Sequence, residues 1–426
     1  MSVGASFQDC VRPPVAEPAP AWPLGHDAEV QASYSTSTAA DPAQHPPNWA
    51  VLLAGALALA VAMGIGRFAF TPLLPLMMRD GLIDAAGGAE LATANYLGYL
   101  LGALSAARLA RRPLPLLLAS LAAIVALTAG AALADSMAAW ASLRLGAGVA
   151  SAWAMVATSA WAQSTLAARA QPALGGLVYA GVGGGIALAG LLAWALAGVG
   201  ARALWAWLAL AALLMAAAVA WLVRGATATA TAPSTATSTA PAATASATPS
   251  AAASTGTAAE PACAEAAATP AGGWPLVLCY GALGFGYILP ATFLPAMARA
   301  LVDDPHLFGL AWPVFGLAAL LSTVAAWRWL GDWPPLRSWA LCQAAIGLGA
   351  ALPLLDRSGP ATGLAALLVG GSFVVATLIA LQQARALVPL QPASLLGRMT
   401  AAFALGQIAG PALVRALDAL PSEAER

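Results

Sequence analysis

From Trp49 onward the chain is built of eleven long apolar runs set apart by short polar breaks and one long one. They fall at roughly 50–77, 91–110, 114–134, 137–162, 173–197 and 203–223, then at 274–298, 307–330, 336–355, 362–388 and 395–417. Each is close to the ~20 residues an α-helix needs to cross a bilayer core. The pattern predicts an all-α polytopic membrane protein of two bundles, with six helices at 48–223 and five at 273–417. The Ala/Thr/Ser/Pro tract 224–272 between them has too little bulky apolar surface to fold and reads as a flexible linker. Residues 1–47 and 418–426 read as tails. The first tail is rich in Pro, Ala and Ser and lacks the basic and short apolar segments of a signal peptide. A start codon assigned too early is the alternative reading of that tail.

One stretch organises both series. Gly64-Ile65-Gly66-Arg67-Phe68-Ala69-Phe70-Thr71-Pro72-Leu73-Leu74-Pro75-Leu76-Met77 returns at the head of the second series as Gly284-Phe285-Gly286-Tyr287-Ile288-Leu289-Pro290-Ala291-Thr292-Phe293-Leu294-Pro295-Ala296-Met297. Gly64, Gly66, Leu74, Pro75 and Met77 meet Gly284, Gly286, Leu294, Pro295 and Met297 at one constant offset, without a gap. At nearly the same offset Leu174-Gly175 matches Leu396-Gly397, and Gly184 and Ile186 match Gly406 and Ile408. Helix five therefore corresponds to helix eleven. Two halves repeated in the same membrane sense, six helices apart, are the architecture of major facilitator transporters.

Composition sharpens this picture. The chain is 60% hydrophobic and 8% charged, with a mean hydropathy of +0.78, against about 25% charged residues in soluble domains. Zero net charge argues against a nucleic-acid partner. All 18 basic residues are Arg. Nine of them (Arg108, Arg111, Arg112, Arg169, Arg224, Arg328, Arg337, Arg385 and Arg398) lie in loops on the side of the amino terminus and linker. Five (Arg79, Arg202, Arg299, Arg357 and Arg415) lie on the opposite side. The excess predicts a cytoplasmic amino terminus and linker, and an odd helix count puts the carboxyl terminus outside. Cys10, Cys263, Cys279 and Cys342 are scattered, with no metal-site or disulfide spacing.

Four segments resemble the YbfB/YjiJ-like branch of the major facilitators. They are the motif at 64–77, Ala94-Asn-Tyr-Leu-Gly-Tyr-Leu-Leu-Gly-Ala-Leu104, Leu143-Arg-Leu-Gly-Ala-Gly-Val-Ala-Ser-Ala152, and Met399-Thr-Ala-Ala-Phe-Ala-Leu-Gly-Gln-Ile-Ala-Gly-Pro411. The resemblance covers roughly 48–415 and implies a twelve-helix secondary transporter of the bacterial inner membrane. It also implies that helices one, four, seven and ten line a central cavity and that every third helix packs outside. The chain departs from this pattern by its long tail and linker, and by ending nine residues after the eleventh run. A lost twelfth helix or a shortened reading frame would each account for that.

The first and fourth helices each carry a cation in the outer half of the membrane, Arg67 and Arg144. A charge there costs at least ~2.5 kcal/mol, so it faces a wet cavity or a partner. Both are candidate ligands for an anionic solute, because a guanidinium grips carboxylate or phosphate with two prongs. The competing reading has each arginine snorkel or bond backbone carbonyls freed by nearby Gly and Pro. Asn95, Tyr96 and Tyr99 on helix two, and Tyr280 and Tyr287 on helix seven, are candidates for orienting hydrogen bonds. Tyrosines in membrane helices are commoner at the interface, and that placement is the default expectation.

Gln382, Gln383 and Gln407 are expected to bond between helices. Gly64, Gly66, Pro72 and Pro75, with Gly284, Gly286, Pro290 and Pro295, are candidate hinge or gating positions, since paired helix interruptions mark such sites. The Gly181–Gly185 run lies inside a span with no strand before it and reads as helix packing.

No Asp, Glu or His falls inside a predicted span, so a buried proton relay has no candidate and facilitated diffusion or exchange is favoured. The sequence holds no nucleophile–base pair or metal cluster in the spans, so neither an enzyme nor a cofactor or metal is expected. The expected partners are a small-molecule substrate and the lipid bilayer, with the protein a monomer. The function expected is transport of a small organic solute, an anion being the class the arginines suit. Export of amphipathic compounds and a non-transporting sensor or scaffold remain open beside it.

Overall fold

The computed structural model describes residues 47–224, 273–301, 309–330, 333–388 and 392–418, all within one unit, Pro46–Arg426. Apart from their edge residues, the two tails and the linker expected from sequence lie outside the described residues. The apolar runs are helices. They are α1 (Asn48–Arg79), α2 (Ala85–Leu109), α3 (Pro113–Leu133), α4 (Met137–Ala167), α5 (Pro172–Ala195) and α6 (Ala201–Leu222) in the first bundle. The second bundle has α7 (Gly273–Leu301), α8 (Ala311–Trp329), α9 (Pro335–Leu355), α10 (Gly359–Leu387) and α11 (Pro392–Asp418).

The helix starts follow from local chemistry. The Asp84 carboxylate accepts from Gly87 N at 2.7 Å, which begins α2 ahead of its apolar run. Ser136 caps α4 through Ala139 N at 3.2 Å, and Ser358 caps α10 through Ala361 N at 3.3 Å. Each satisfies an amide that the first turn leaves without an intrahelical partner. The last such device is tertiary: Asp80, just past α1, accepts from Ala201 N at 2.6 Å and caps α6. Beside it Arg79 donates to the carbonyls of Ala197 (2.6 Å) and Val199 (3.1 Å), fixing the α5–α6 turn to the end of α1.

Burial sorts the helices into inner and outer positions. The apolar windows of α1, α4, α7 and α10 are 72%, 56%, 50% and 61% buried, whereas α3, α6 and α9 are 33%, 33% and 28% buried. The helices expected to pack outside are among the least buried, with α8 as exposed as α3 and α6 at 33% and α5 as buried as α10 at 61%. Between the bundles, α5 packs on α8 and α2 on α11.

Small residues allow these contacts. Gly181 and Gly185 leave no room for a methyl against the backbone of α1 at Ala56 and Ala60, and Gly183 leaves none against Leu320 of α8. The glycine run thus packs helices on two sides. Gly284 and Gly406 do the same between α7 and α11.

The two copies of the repeated motif differ in backbone. In the first, α1 is α-helical over Asn48–Leu59, π-helical over Ala60–Phe68, and α-helical again over Phe70–Arg79. In the second, α7 runs as a single α-helix from Gly273 to Leu301, through Pro290 and Pro295. The first copy thus departs from α geometry ahead of Pro72 and Pro75, which lie in regular helix, and the second stays α-helical through Pro290 and Pro295.

Candidate functional site

The π-helical stretch carries Arg67 into the middle of the protein. Its side chain is 3% exposed and lies where α1, α2, α7 and α11 meet. The guanidinium stands 3.9 Å from the ring centre of Tyr99, 5.3 Å from that of Phe68 and 5.8 Å from that of Tyr96. Those ring faces supply negative potential to a desolvated cation. Nη2 donates to Gln407 Oε1 of α11 at 2.7 Å, and the Gln407 amide donates to the Tyr287 hydroxyl of α7. Nε and Nη1 have no hydrogen-bond partner. Among the described residues no carboxylate pairs with Arg67 or Arg144; the recorded ion pairs are Arg79–Asp80 and Arg202–Asp135, on exposed turns.

Arg144 comes to the same place from the second turn of α4. Its Nη1 donates to Gly66 O at 3.2 Å and its Nη2 to Arg67 O at 3.1 Å, while Cζ lies 4.9 Å from the Phe70 ring centre. Asn95 is fully buried beneath it and donates to Arg144 O at 2.8 Å and to Gly66 O at 3.4 Å. Both side chains expected to meet a substrate thus have donors on backbone carbonyls. Arg67, Arg144, Thr71, Tyr96 and Thr292 line a single cavity of about 10 Å³, at the threshold for one water. Across it Tyr96 Oη and Thr292 Oγ1 lie 3.4 Å apart, which links α2 to α7.

Tyr96, Tyr99, Tyr280 and Tyr287 are all buried, so the interfacial placement expected for tyrosines is not what the fold does with these four. Tyr287 stacks between Phe373 (5.3 Å) and Phe403 (5.5 Å). Tyr280 extends the row on Phe403 at 4.8 Å, and Phe315 and Trp312 extend it beyond Phe373. These rings give α7 a stiff face toward Arg67, with Tyr280 one ring removed from the site.

Gly64 and Gly66 sit in the π-helical stretch with no room for a side chain, against the Gly185 backbone and Ser151 Oγ. Gly286 is open: a methyl there would reach only Ile346, at 3.9 Å.

Sequence reading did not place Gln407, Thr71 or Thr292 in the site. Gln407 gave a signal, being a polar side chain in an apolar run, but its spacing could not say which helix it meets. Gln382 lies elsewhere, on a second cavity of about 270 Å³ with Trp327, Trp333 and Ser338 at the α8–α9 turn.

Two repeated helical bundles, paired through α2–α11 and α5–α8, with a buried cation where they meet, define a membrane transporter of the major facilitator type. The crystal structure of a D-xylose-proton symporter has the same fold, with a TM-score of 0.61 at 11% identity over 85% of this chain and 88% of that one. A family model described as the uncharacterised MFS-type transporter YbfB matches residues 59–249 and 242–423. The chain belongs to this YbfB-type family of major facilitator transporters. No curated protein matches it.

Proposed function

We propose that this transporter moves a small organic anion by alternating access, with Arg67 as the charged group that receives it. One observation carries the reading: a guanidinium 3% exposed between the bundles, with two nitrogens unpartnered and no carboxylate beside it. A buried cation of this kind is costly until an anion with hydrogen-bonding oxygens completes it. The solute's own carboxylate or phosphate supplies that charge. Thr71, Tyr96 and Thr292 offer hydroxyls at the same cavity, and Tyr99 holds the guanidinium plane.

Because Arg67 is tied through Gln407 to Tyr287, an anion that takes Nη2 from Gln407 loosens a bridge between the bundles. The lack of any Asp, Glu or His in the predicted spans favours exchange or facilitated movement over proton coupling. The reading is of a monomer in the bacterial plasma membrane, and the arginine bias favours a cytoplasmic amino terminus and linker. A second reading, export of amphipathic compounds, is favoured by the stacked row from Trp312 to Tyr280, a buried aromatic seam among α7, α8, α10 and α11.

Counterflow in proteoliposomes tests the first reading, using labelled acetate, benzoate, succinate, citrate and glycerol phosphate, with Arg67→Ala beside the unaltered protein. Losing the interaction of an ionised group costs about 1.5–3 kcal/mol, so exchange should fall by roughly 10- to 150-fold. Exchange that persists in Arg67→Ala removes the anion-ligand role. No exchange of any of these anions by folded protein removes the substrate class.

A further inference from the structure

We infer that Arg144 is a positioning residue: it holds helix α1 in its open π-helical form and thereby aims Arg67, acting through the backbone. In a π-helix the carbonyl of residue i looks to the amide of residue i+5. For Gly66 that amide belongs to Thr71. For Arg67 it would belong to residue 72, which is proline and has no N–H. Where the π register of Ala60–Phe68 is carried on to its end, the Arg67 carbonyl is left open in the middle of a membrane, where an unpaired backbone group costs several kcal/mol. Arg144 Nη2 fills that vacancy at 3.1 Å, and Nη1 reaches the neighbouring Gly66 carbonyl at 3.2 Å. Asn95 joins the two elements by donating to Gly66 O and to Arg144 O. A guanidinium is the one side chain whose fork spans two successive carbonyls.

The second half of the molecule supplies the control. At the offset that pairs Gly64 with Gly284, the position of Pro72 is held by Thr292, which has its own N–H. The capping serines of α4 and α10, Ser136 and Ser358, are counterparts, and the offset between them takes Arg144 to Ala366. At the positions equivalent to Pro72 and Arg144 the second copy has neither proline nor arginine, and α7, with its own Pro290 and Pro295, stays α-helical. The two residues are present together in one half and absent together in the other. At these two positions the proline and the arginine thus come as a pair.

The inference assigns Arg144 its part in the anion site proposed above, but its test does not depend on any anion being carried. A double-mutant cycle joins Arg144→Gln with Pro72→Thr, which copies the second repeat and returns an N–H to position 72. The readouts are amide hydrogen exchange over residues 60–72 and the melting temperature in detergent. Arg144→Gln should speed exchange in that segment about tenfold or more, in line with the loss of hydrogen bonds from an ionised donor. Adding Pro72→Thr should recover most of that protection, because the helix then serves the Arg67 carbonyl itself.

A generic packing defect at position 144 would not be cured by one amide at position 72. If Arg144→Gln alone does not fold, recovery of folded protein in the double variant is the supporting result. Additive effects of the two changes, or failure of both proteins to fold, overturn the inference. For any panel anion that exchanges, succinate or benzoate first, the half-saturation concentration should rise in Arg144→Gln and fall back in the double variant. A rise that Pro72→Thr leaves untouched, with exchange over 60–72 unchanged, would make Arg144 a direct ligand and also overturn it.

Discussion

Helices α1 and α7 carry two copies of one motif and do opposite things with it. α1 departs from α geometry over Ala60–Phe68 and delivers a cation; α7 keeps its α geometry through Leu301 and delivers Tyr287 at the position that matches Arg67. The two equivalent residues meet through one amide, Gln407. At the offset that pairs Gly184 with Gly406, the first-half counterpart of Gln407 is Gly185, which packs its backbone against Gly64. The same position of the fifth helix of a repeat is thus a bare backbone approach in one half and a polar side chain reaching the centre in the other. Duplication supplies the frame. A few residues that break the symmetry supply the chemistry.

The comparison can be broken most forcefully by making α7 imitate α1. Tyr287→Arg would set a second guanidinium beside the first with no anion between them, costing at least ~2.5 kcal/mol before like-charge repulsion is added. Little folded protein should survive size-exclusion chromatography. Exchanging the two residues, Arg67→Tyr with Tyr287→Arg, keeps a single central cation and should restore part of the yield. Ala366→Arg makes the same point for α10: Ala366 is fully buried, so loss of a stable melt is expected there too.

Gln407→Leu is a milder change. It removes the acceptor of Arg67 Nη2 and the donor to Tyr287 while keeping the volume, and should cost about 1–3 kcal/mol, read as a lower melting temperature. A melting temperature equal to that of the unaltered protein would mean that the bridge between the bundles contributes nothing to stability.

The smallest effect is expected at the carboxyl end of α1. The Ala201 amide, with Arg79 beside it, holds the Asp80 carboxyl below its ordinary value of 3.8. A carboxyl lowered in the folded state adds stability above its unfolded pKa and loses it as pH falls through the folded one. The cap between α1 and α6 should therefore weaken only below about pH 4. Melts of Asp80→Asn and the unaltered protein should converge on acidification; a constant gap would place the contribution of Asp80 elsewhere.

Much of the fold was legible before any coordinates. Hydrophobicity marks where a chain can sit in lipid, so the runs located the helices, and the repeats located the halves. Helix ends were less legible. α2 begins at Ala85 rather than 91, and α4 continues to Ala167 rather than 162, because caps and polar turns can carry a helix past the apolar layer. Arg67 and Arg144 stood out for a physical reason, as charges in apolar runs. Their different partners did not, because a charge in a span announces that it needs an acceptor without saying which one. The tyrosines were misjudged for a similar reason: a ring with a hydroxyl suits an interface or a polar core equally well. Only the packing of α2 on α11, and of α7 on both α11 and α10, put these four in the core.

What the sequence determined by itself was the membrane class, the repeated plan of six helices and then five, and the cation in one copy, since composition, period and repeat spacing are properties of the chain alone. What the tertiary structure decided was which acceptors those cations find. The π-helical turn at Ala60–Phe68, the Arg144 fork on Gly66 and Arg67, and the Arg67–Gln407–Tyr287 bridge all depend on helices distant in the chain. The physical reason is that a buried polar group must be satisfied in the membrane interior, but the partner that satisfies it is chosen by the approach of a second helix.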